Sequence, residues 1–186
     1  MIIYEDVHCG DEMISDAFDL KLVDDIVYEV DAKMVTIKEG DVDIGANPSA
    51  EEAEEGAEDG AVTVNNVAHS FRLQSTSFDK KSYLTYLKGY MKKTKAALQT
   101  KADAGDENAK ARLATFETAA GAFAKKMIGN FKDYEFFTGE SMDPDGMVVL
   151  MNYREDGITP YMIFWKDGLR EVSRSLSTAI ATRIGG

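Results

Sequence analysis

Apolar positions recur with different periods along this chain, and each change of period marks a different kind of element. In Phe18-Asp19-Leu20-Lys21-Leu22 apolar and polar side chains alternate, the period-two pattern of a half-buried strand. Asp24-Asp25 reads as a turn, Ile26-Val27-Tyr28-Glu29-Val30 resumes the β pattern and Met34-Val35-Thr36-Ile37 extends it, so strands are predicted over residues 17–38. Val67, His69, Phe71 and Leu73 alternate further on. Between residues 79 and 128 the period lengthens to that of a helix. Tyr83, Leu87, Tyr90 or Met91, and Leu98 fall on one stripe, and Leu113, Phe116, Ala120, Phe123 and Met127 on another. Asp79 fits an N-cap, Gly129-Asn130 a stop, and Asp103-Ala104-Gly105-Asp106 a break short enough to make the two helices antiparallel neighbours.

From residue 131 the β pattern returns. Tyr134-Glu135-Phe136-Phe137 leads through Asp143-Pro144-Asp145-Gly146, a type I turn by its Pro and Gly positions, into Met147-Val148-Val149-Leu150-Met151. Asp156-Gly157 separates that strand from Pro160-Tyr161-Met162-Ile163-Phe164-Trp165, predicting a meander that returns to the N-terminal sheet. The expected class is α+β, a mostly antiparallel sheet with one projecting helical hairpin.

Residues 39–66 follow neither period. Glu51 to Gly60 holds six acids and no aromatic or branched aliphatic residue, which is too little apolar surface to offset the entropy of ordering. The segment is predicted to be a mobile loop inside one domain, because β-patterned sequence flanks it on both sides.

Charge sharpens this division. The 186-residue chain has a formal net charge of −12. Residues 1–77 carry four basic and nineteen acidic side chains, residues 78–132 twelve and five, and residues 133–186 five and nine. An acidic body with one basic segment argues against nucleic acid as the main partner, since the whole-molecule field repels phosphate. Lys88, Lys92 and Lys95 share a helix face and, with Lys93, form a candidate surface for acidic proteins. A solvated helical face is the plainer reading of the same lysines. Cys9 is the single cysteine, so no intramolecular disulfide forms, consistent with a reducing compartment. The opening residues lack the pattern of a secretory signal and no apolar run reaches the length of a membrane span. A cytoplasmic location and a monomer without membrane contact are therefore expected, with an oxidised dimer possible only through an exposed Cys9.

Two stretches resemble a known family. Ile44-Gly45-Ala46-Asn47-Pro48-Ser49-Ala50-Glu51 is similar to the first signature of the translationally controlled tumour protein family, with Gly45, Asn47, Pro48, Ser49 and Glu51 as its signature positions. Phe131 to Glu140, followed by Asp145-Gly146-Met147-Val148, is similar to the second. Met1-Ile2-Ile3-Tyr4 with Asp11-Glu12-Met13, and Tyr153 to Gly157 with Thr159-Pro160-Tyr161-Met162, add to the likeness, which runs from residue 1 to about 169. The resemblance implies a β-tent fold and one domain over 1–169. It also implies a non-enzymatic set of roles: exchange factor for a Rheb-type small GTPase, calcium binding, contact with tubulin and translation elongation factors, and anti-apoptotic binding. Glu12 matches the family position implicated in GTPase contact. Two departures stand out. Asp41-Val42-Asp43 replaces the serine that animal members carry before the first signature, and Arg170–Gly186 continues past the usual end as an extension of unassigned role.

The residues themselves supply little catalytic chemistry. His8 and His69 are the imidazoles, and His69, beside Phe71 on the alternating pattern, reads as a core or sheet histidine. His8-Cys9 resembles a base–nucleophile pair, but neighbours on an extended segment point to opposite sides. A Cys-x-x-Cys pair for zinc and a glycine-rich phosphate loop are both missing from the sequence. Glu140, Asp143 and Asp145, or the Glu51–Asp59 run, offer oxygen donors for calcium without the spacing of an EF-hand loop. No obligatory cofactor is expected, weak calcium association is, and the metal ligands stay unassigned.

Overall fold

The computed structural model describes residues 1–38 and 61–174. Its strands are β1 (Ile2–Asp6), β2 (Glu12–Ser15), β3 (Lys21–Val23), β4 (Val27–Asp31), β5 (Met34–Lys38), β6 (Ala61–Asn65), β7 (Gln74–Thr76), β8 (Glu135–Thr138), β9 (Val149–Tyr153), β10 (Pro160–Trp165) and β11 (Leu169–Ser173). The helices are α1 (Asn66–Ser70), α2 (Lys80–Asp103) and α3 (Glu107–Gly129). The strands form a six-stranded sheet in the order β3-β4-β10-β9-β8-β7, a three-stranded sheet β11-β1-β2 and a ribbon β5-β6. Every pairing is antiparallel, so the α+β class holds.

Local chemistry explains most element ends. Asp24 and Asp25 both take positive φ, 53° and 57°, and Ile26 N donates to Val23 O at 3.1 Å, closing the β3–β4 hairpin. Aspartate tolerates this backbone region, and a turn with two positive φ angles matches the twist of the flanking strands. Gly146 N donates to Asp143 O at 3.0 Å, closing the turn expected there. The Asp79 side chain caps α2 by accepting from Ser82 N at 2.6 Å, and Asn130 caps the end of α3. Between the helices Gly105 has φ 99°, a conformation open to glycine at no steric cost.

The core lies where the hairpin meets the large sheet. β10 sits between β4 and β9, so five of its six residues are buried and it reads as an almost unbroken apolar run. Phe123 of α3 meets Trp165 edge-on, with ring centroids 5.2 Å apart, and Tyr83 of α2 lies 5.3 Å from Phe136 of β8. Tyr86 Oη donates to Gly146 O at 2.6 Å and accepts from Val148 N at 2.9 Å. Arg112 of α3 reaches both Asp167 oxygens at 2.9 and 2.7 Å and Asp25 Oδ2 at 2.8 Å. Tyr90 Oη sits against Gly168 so closely that a Cβ at that position would collide with it.

Several expectations need correction. Residues 61–65 belong to β6, paired with β5, so the acidic segment ends before them; residues 39–60 lie outside the described residues. Val67, His69, Phe71 and Leu73 do not form a strand. Asn65 Oδ1 accepts from Val67 N at 3.0 Å and Ala68 N at 3.1 Å, turning the chain into α1 and leaving His69 exposed rather than in the core. Of residues 18–22 only Lys21 and Leu22 enter a strand, and Leu22 is 44% exposed. β1 and β2 carry no expectation from the sequence. Neither does β11, which continues the folded domain past residue 169: Ile2 pairs with Ser173 and Asp6 with Leu169.

Candidate functional site

Glu12 lies on β2, one of the two edge strands of the three-stranded sheet. Its partner across the ladder is Glu5, and two like charges facing each other destabilise a sheet. Arginines of the last strand region offset this. Arg174 Nη2 meets Glu5 Oε1 at 2.9 Å and its Nη1 meets Glu12 Oε1 at 3.2 Å, while Arg170 Nη2 meets Glu5 Oε2 at 3.0 Å. The Glu5 side chain is 10% exposed and that of Glu12 is 38% exposed, so Glu12 is the member turned toward solvent. It lines a cleft of about 1480 Å³ together with Ile3, Phe18, Phe71, Phe137 and Arg174. Arg174 is the residue that sequence reading missed here. Its role depends on pairing the first strand with the last, which no local pattern announces.

Behind this edge, Asp6 is fully buried and gathers the surrounding chain. Its carboxylate accepts from His8 N at 2.9 Å, from Cys9 Sγ at 3.1 Å and from Met147 N. His8 Nε2 lies 3.0 Å from Thr94 Oγ1 on α2, and its ring meets Tyr90 edge-on. His8 and Cys9 therefore turn to different partners and do not form a base–nucleophile couple. Burial pushes the Cys9 thiol up to about 12, further from a reactive thiolate, and burial also lowers the pKa of His8.

The candidate calcium donors are dispersed. Glu140 pairs with Arg72 at 3.3 Å, Asp145 with Lys93 at 3.5 Å, and Asp143 Oδ1 accepts from Asp145 N at 2.8 Å. Among the described residues no group of three or more His, Cys, Asp or Glu side chains is placed to hold a metal ion. Glu51–Asp59 and the signature positions Gly45, Asn47, Pro48, Ser49 and Glu51 lie outside the described residues.

On α2 the structure divides the four lysines. Lys88 and Lys92 are exposed, and neither has an ion-pair partner among the described residues. Lys95 is exposed but meets Glu117 of α3 at 2.6 Å. Lys93 faces another way, with Nζ donating to Asp145 O at 2.8 Å. No described helix is long and apolar enough to cross a membrane.

An antiparallel β framework holding a long helical pair defines the class as an α+β domain, with charged side chains exposed at a sheet edge and along a helix. The family model for Translationally controlled tumour protein matches residues 1–170, and the chain belongs to that family. It is 64% identical over 171 residues to a "Translationally-controlled tumor protein homolog" from Yarrowia lipolytica, covering 92% of this chain and 98% of that one. It is 66% identical over 170 residues to a homolog from Schizosaccharomyces pombe, covering 91% and 97%. Among solved structures it is similar to the "Translationally Controlled Tumor-associated Protein p23fyp" of S. pombe, with TM-score 0.74, 64% identity, and 94% of this chain and 100% of that chain covered. The Caenorhabditis elegans family member gives TM-score 0.60 at 29% identity, over 94% of this chain and 100% of that one.

Proposed function

We propose that this protein is a non-catalytic cytoplasmic interaction protein acting in translation and growth control, with the α2 lysine face as its surface for acidic partners. The observation that carries this reading is the pair of exposed lysines, Lys88 and Lys92, without an ion-pair partner among the described residues of a chain whose net charge is −12. Charges left uncompensated on a rigid helix add little to folding and remain available to a partner. Acidic tubulin tails and translation elongation factor subunits have the required chemistry. Anti-apoptotic binding belongs to the same class of protein contact, and calcium acts as a weak surface ligand without being an obligatory cofactor. The test is fluorescence anisotropy with an acidic tubulin-tail peptide. Binding should weaken steeply from low to physiological salt and be lost in the Lys88→Glu/Lys92→Glu double variant. Salt-insensitive binding, or full binding by the variant, overturns the reading.

A second reading, regulation of a Rheb-type small GTPase through Glu12, draws support from the position of Glu12. It is half-exposed on an edge strand beside a large cleft. A carboxylate offered there would compete for the magnesium and phosphate shell of a bound GTPase and hasten nucleotide loss. Fluorescent GDP should then leave the GTPase faster with this protein than with Glu12→Ala. Equal release in both arms removes this reading and leaves the first intact.

A further inference from the structure

At its β8 end the six-stranded sheet is packed on one face and opens to a cleft on the other. Phe136 points to the hairpin, where it meets Tyr83. Its strand neighbours Glu135 and Phe137 point to the opposite face, because successive strand residues alternate sides. Met151, paired with Glu135 across β8 and β9, joins them there. These three line the cleft of about 1480 Å³ that also holds Glu12, with Phe18 and Phe71 on its other sides. Met1, Met34 and Tyr153 border it too, and they are 41%, 51% and 45% exposed. Large apolar side chains left in solvent around one cleft mark a surface suited to a ligand or a further chain segment.

The chain passes the rim of this cleft at Arg174. Arg174 N donates to Met1 O at 2.9 Å, the Met1 amino group donates to Arg174 O at 3.1 Å, and both residues line the cleft. The ladder between β1 and β11 reaches Ile2 and Ser173, so it runs out at this point. The sequence that follows complements the cleft. Leu176, Ile180 and Ile184 recur at every fourth position, which puts them on one side of the segment whether it is helical or extended. Arg183 is the one charged residue of 175–184. The cleft lining holds Asp11, Glu12, Glu135 and Glu140 against Arg72 and Arg174. Arg72 pairs with Glu140 and Arg174 with Glu12, which leaves Asp11 and Glu135 without ion pairs among the described residues.

We propose that residues 175–184 dock in this cleft of their own chain, with Leu176, Ile180 and Ile184 against Phe18, Phe71 and Phe137 and with Arg183 toward Asp11 and Glu135. Attachment at Arg174 is what favours this occupant. A short tether supplies an effective concentration on the order of millimolar, so contacts too weak to hold a separate peptide hold a segment joined at the rim. From Arg174 to Ile184 the chain reaches roughly 15 Å as a helix and roughly 33 Å extended, which carries its apolar side well away from the point of attachment. The proposal is independent of both functional readings above, yet it bears on the second. Glu12 lines the same cleft, so the docked segment shields that carboxylate from a partner.

The test is methyl NMR on the full chain with labelled Met and Ile methyl groups. Nuclear Overhauser contacts should join the Ile180 or Ile184 methyls to those of Met34 or Met151. The Met34→Lys/Glu135→Lys variant changes two exposed cleft residues and leaves the docking segment untouched. It should lose those contacts and move the Ile180 and Ile184 signals to random-coil positions. Unchanged signals from the buried Met127 and Met147 verify that the variant is folded. Random-coil Ile180 and Ile184 signals in the wild type overturn the proposal and leave the cleft to a separate partner. Contacts to Met91 or Ile128 of the hairpin, or cleft contacts that persist in the folded variant, overturn it as well. A sample mixed from differently labelled chains separates the remaining case: contacts found only between chains overturn docking in cis in favour of a second copy.

Discussion

The sheet end and the hairpin of this molecule treat charge in opposite ways. At the sheet end, Glu5 is held by two arginines, Glu12 shares one of them, and Asp6 is buried under three donors. Along α2, Lys88 and Lys92 stand in solvent without such partners among the described residues. A buried, satisfied carboxylate holds several chain segments in register, and its removal strands their donors. An exposed lysine holds nothing in place. The comparison separates charges that build the fold from charges the fold displays, and the two kinds should respond differently to mutation.

The strongest way to sharpen the comparison is Asp6→Ala. Loss of the shared acceptor for His8 N, Cys9 Sγ and Met147 N should cost about 3 kcal/mol in urea unfolding, with the slope unchanged. Arg112→Ala comes next. It leaves the Asp167 carboxylate, 4% exposed, without its guanidinium and loosens α3 from the β3–β4 turn, for about 2 kcal/mol. Within the sheet end, His8 gives a smaller effect that depends on pH. Burial lowers its pKa below the ordinary 6.5, with Asp6 and Asp145 opposing the shift and Lys93 adding to it. The unfolded chain therefore binds the proton first, and stability should fall as pH drops below about 6.5 toward the folded pKa. His8→Gln should remove that slope in thermal melts from pH 7 to 5. Lys88→Glu with Lys92→Glu completes the series, with a stability change within about 0.5 kcal/mol alongside loss of acidic-peptide binding. A large destabilisation in the lysine variant, or none for Asp6→Ala, breaks the comparison.

What could be read in the sequence follows the same boundary between local and distant interactions. The hairpin, its Asp79 cap, the Asp24-Asp25 turn and the β8–β9–β10 meander were legible because each is specified within a few residues or one repeating stripe. Thr94, buried on α2, escaped because a polar residue does not mark an apolar stripe; its hydroxyl bonds to Tyr90 O at 2.8 Å. Alternation at Val67, His69, Phe71 and Leu73 misled because four positions fit a strand as well as a capped helical turn, and Asn65 was the signal that decides it. Lys93 was grouped with Lys88 and Lys92 by proximity in sequence, although one residue rotates a side chain by about 100° around a helix. Glu12 was found through family resemblance alone, and its arginine partner comes from the opposite end of the described chain.

That last pairing bears on how the chain is made. β1 and its neighbour β2 leave the ribosome long before β11, the other partner of β1, which begins at Leu169. At roughly 5–20 residues per second, the second edge of β1 waits on the order of ten to thirty seconds for β11 to be synthesised. The α2–α3 hairpin, whose contacts are local, has time to form within that interval. Docking of β11 on β1 is thus a closing step of biosynthesis, and a chain stalled or truncated before residue 169 leaves an unpaired strand edge open to other nascent chains.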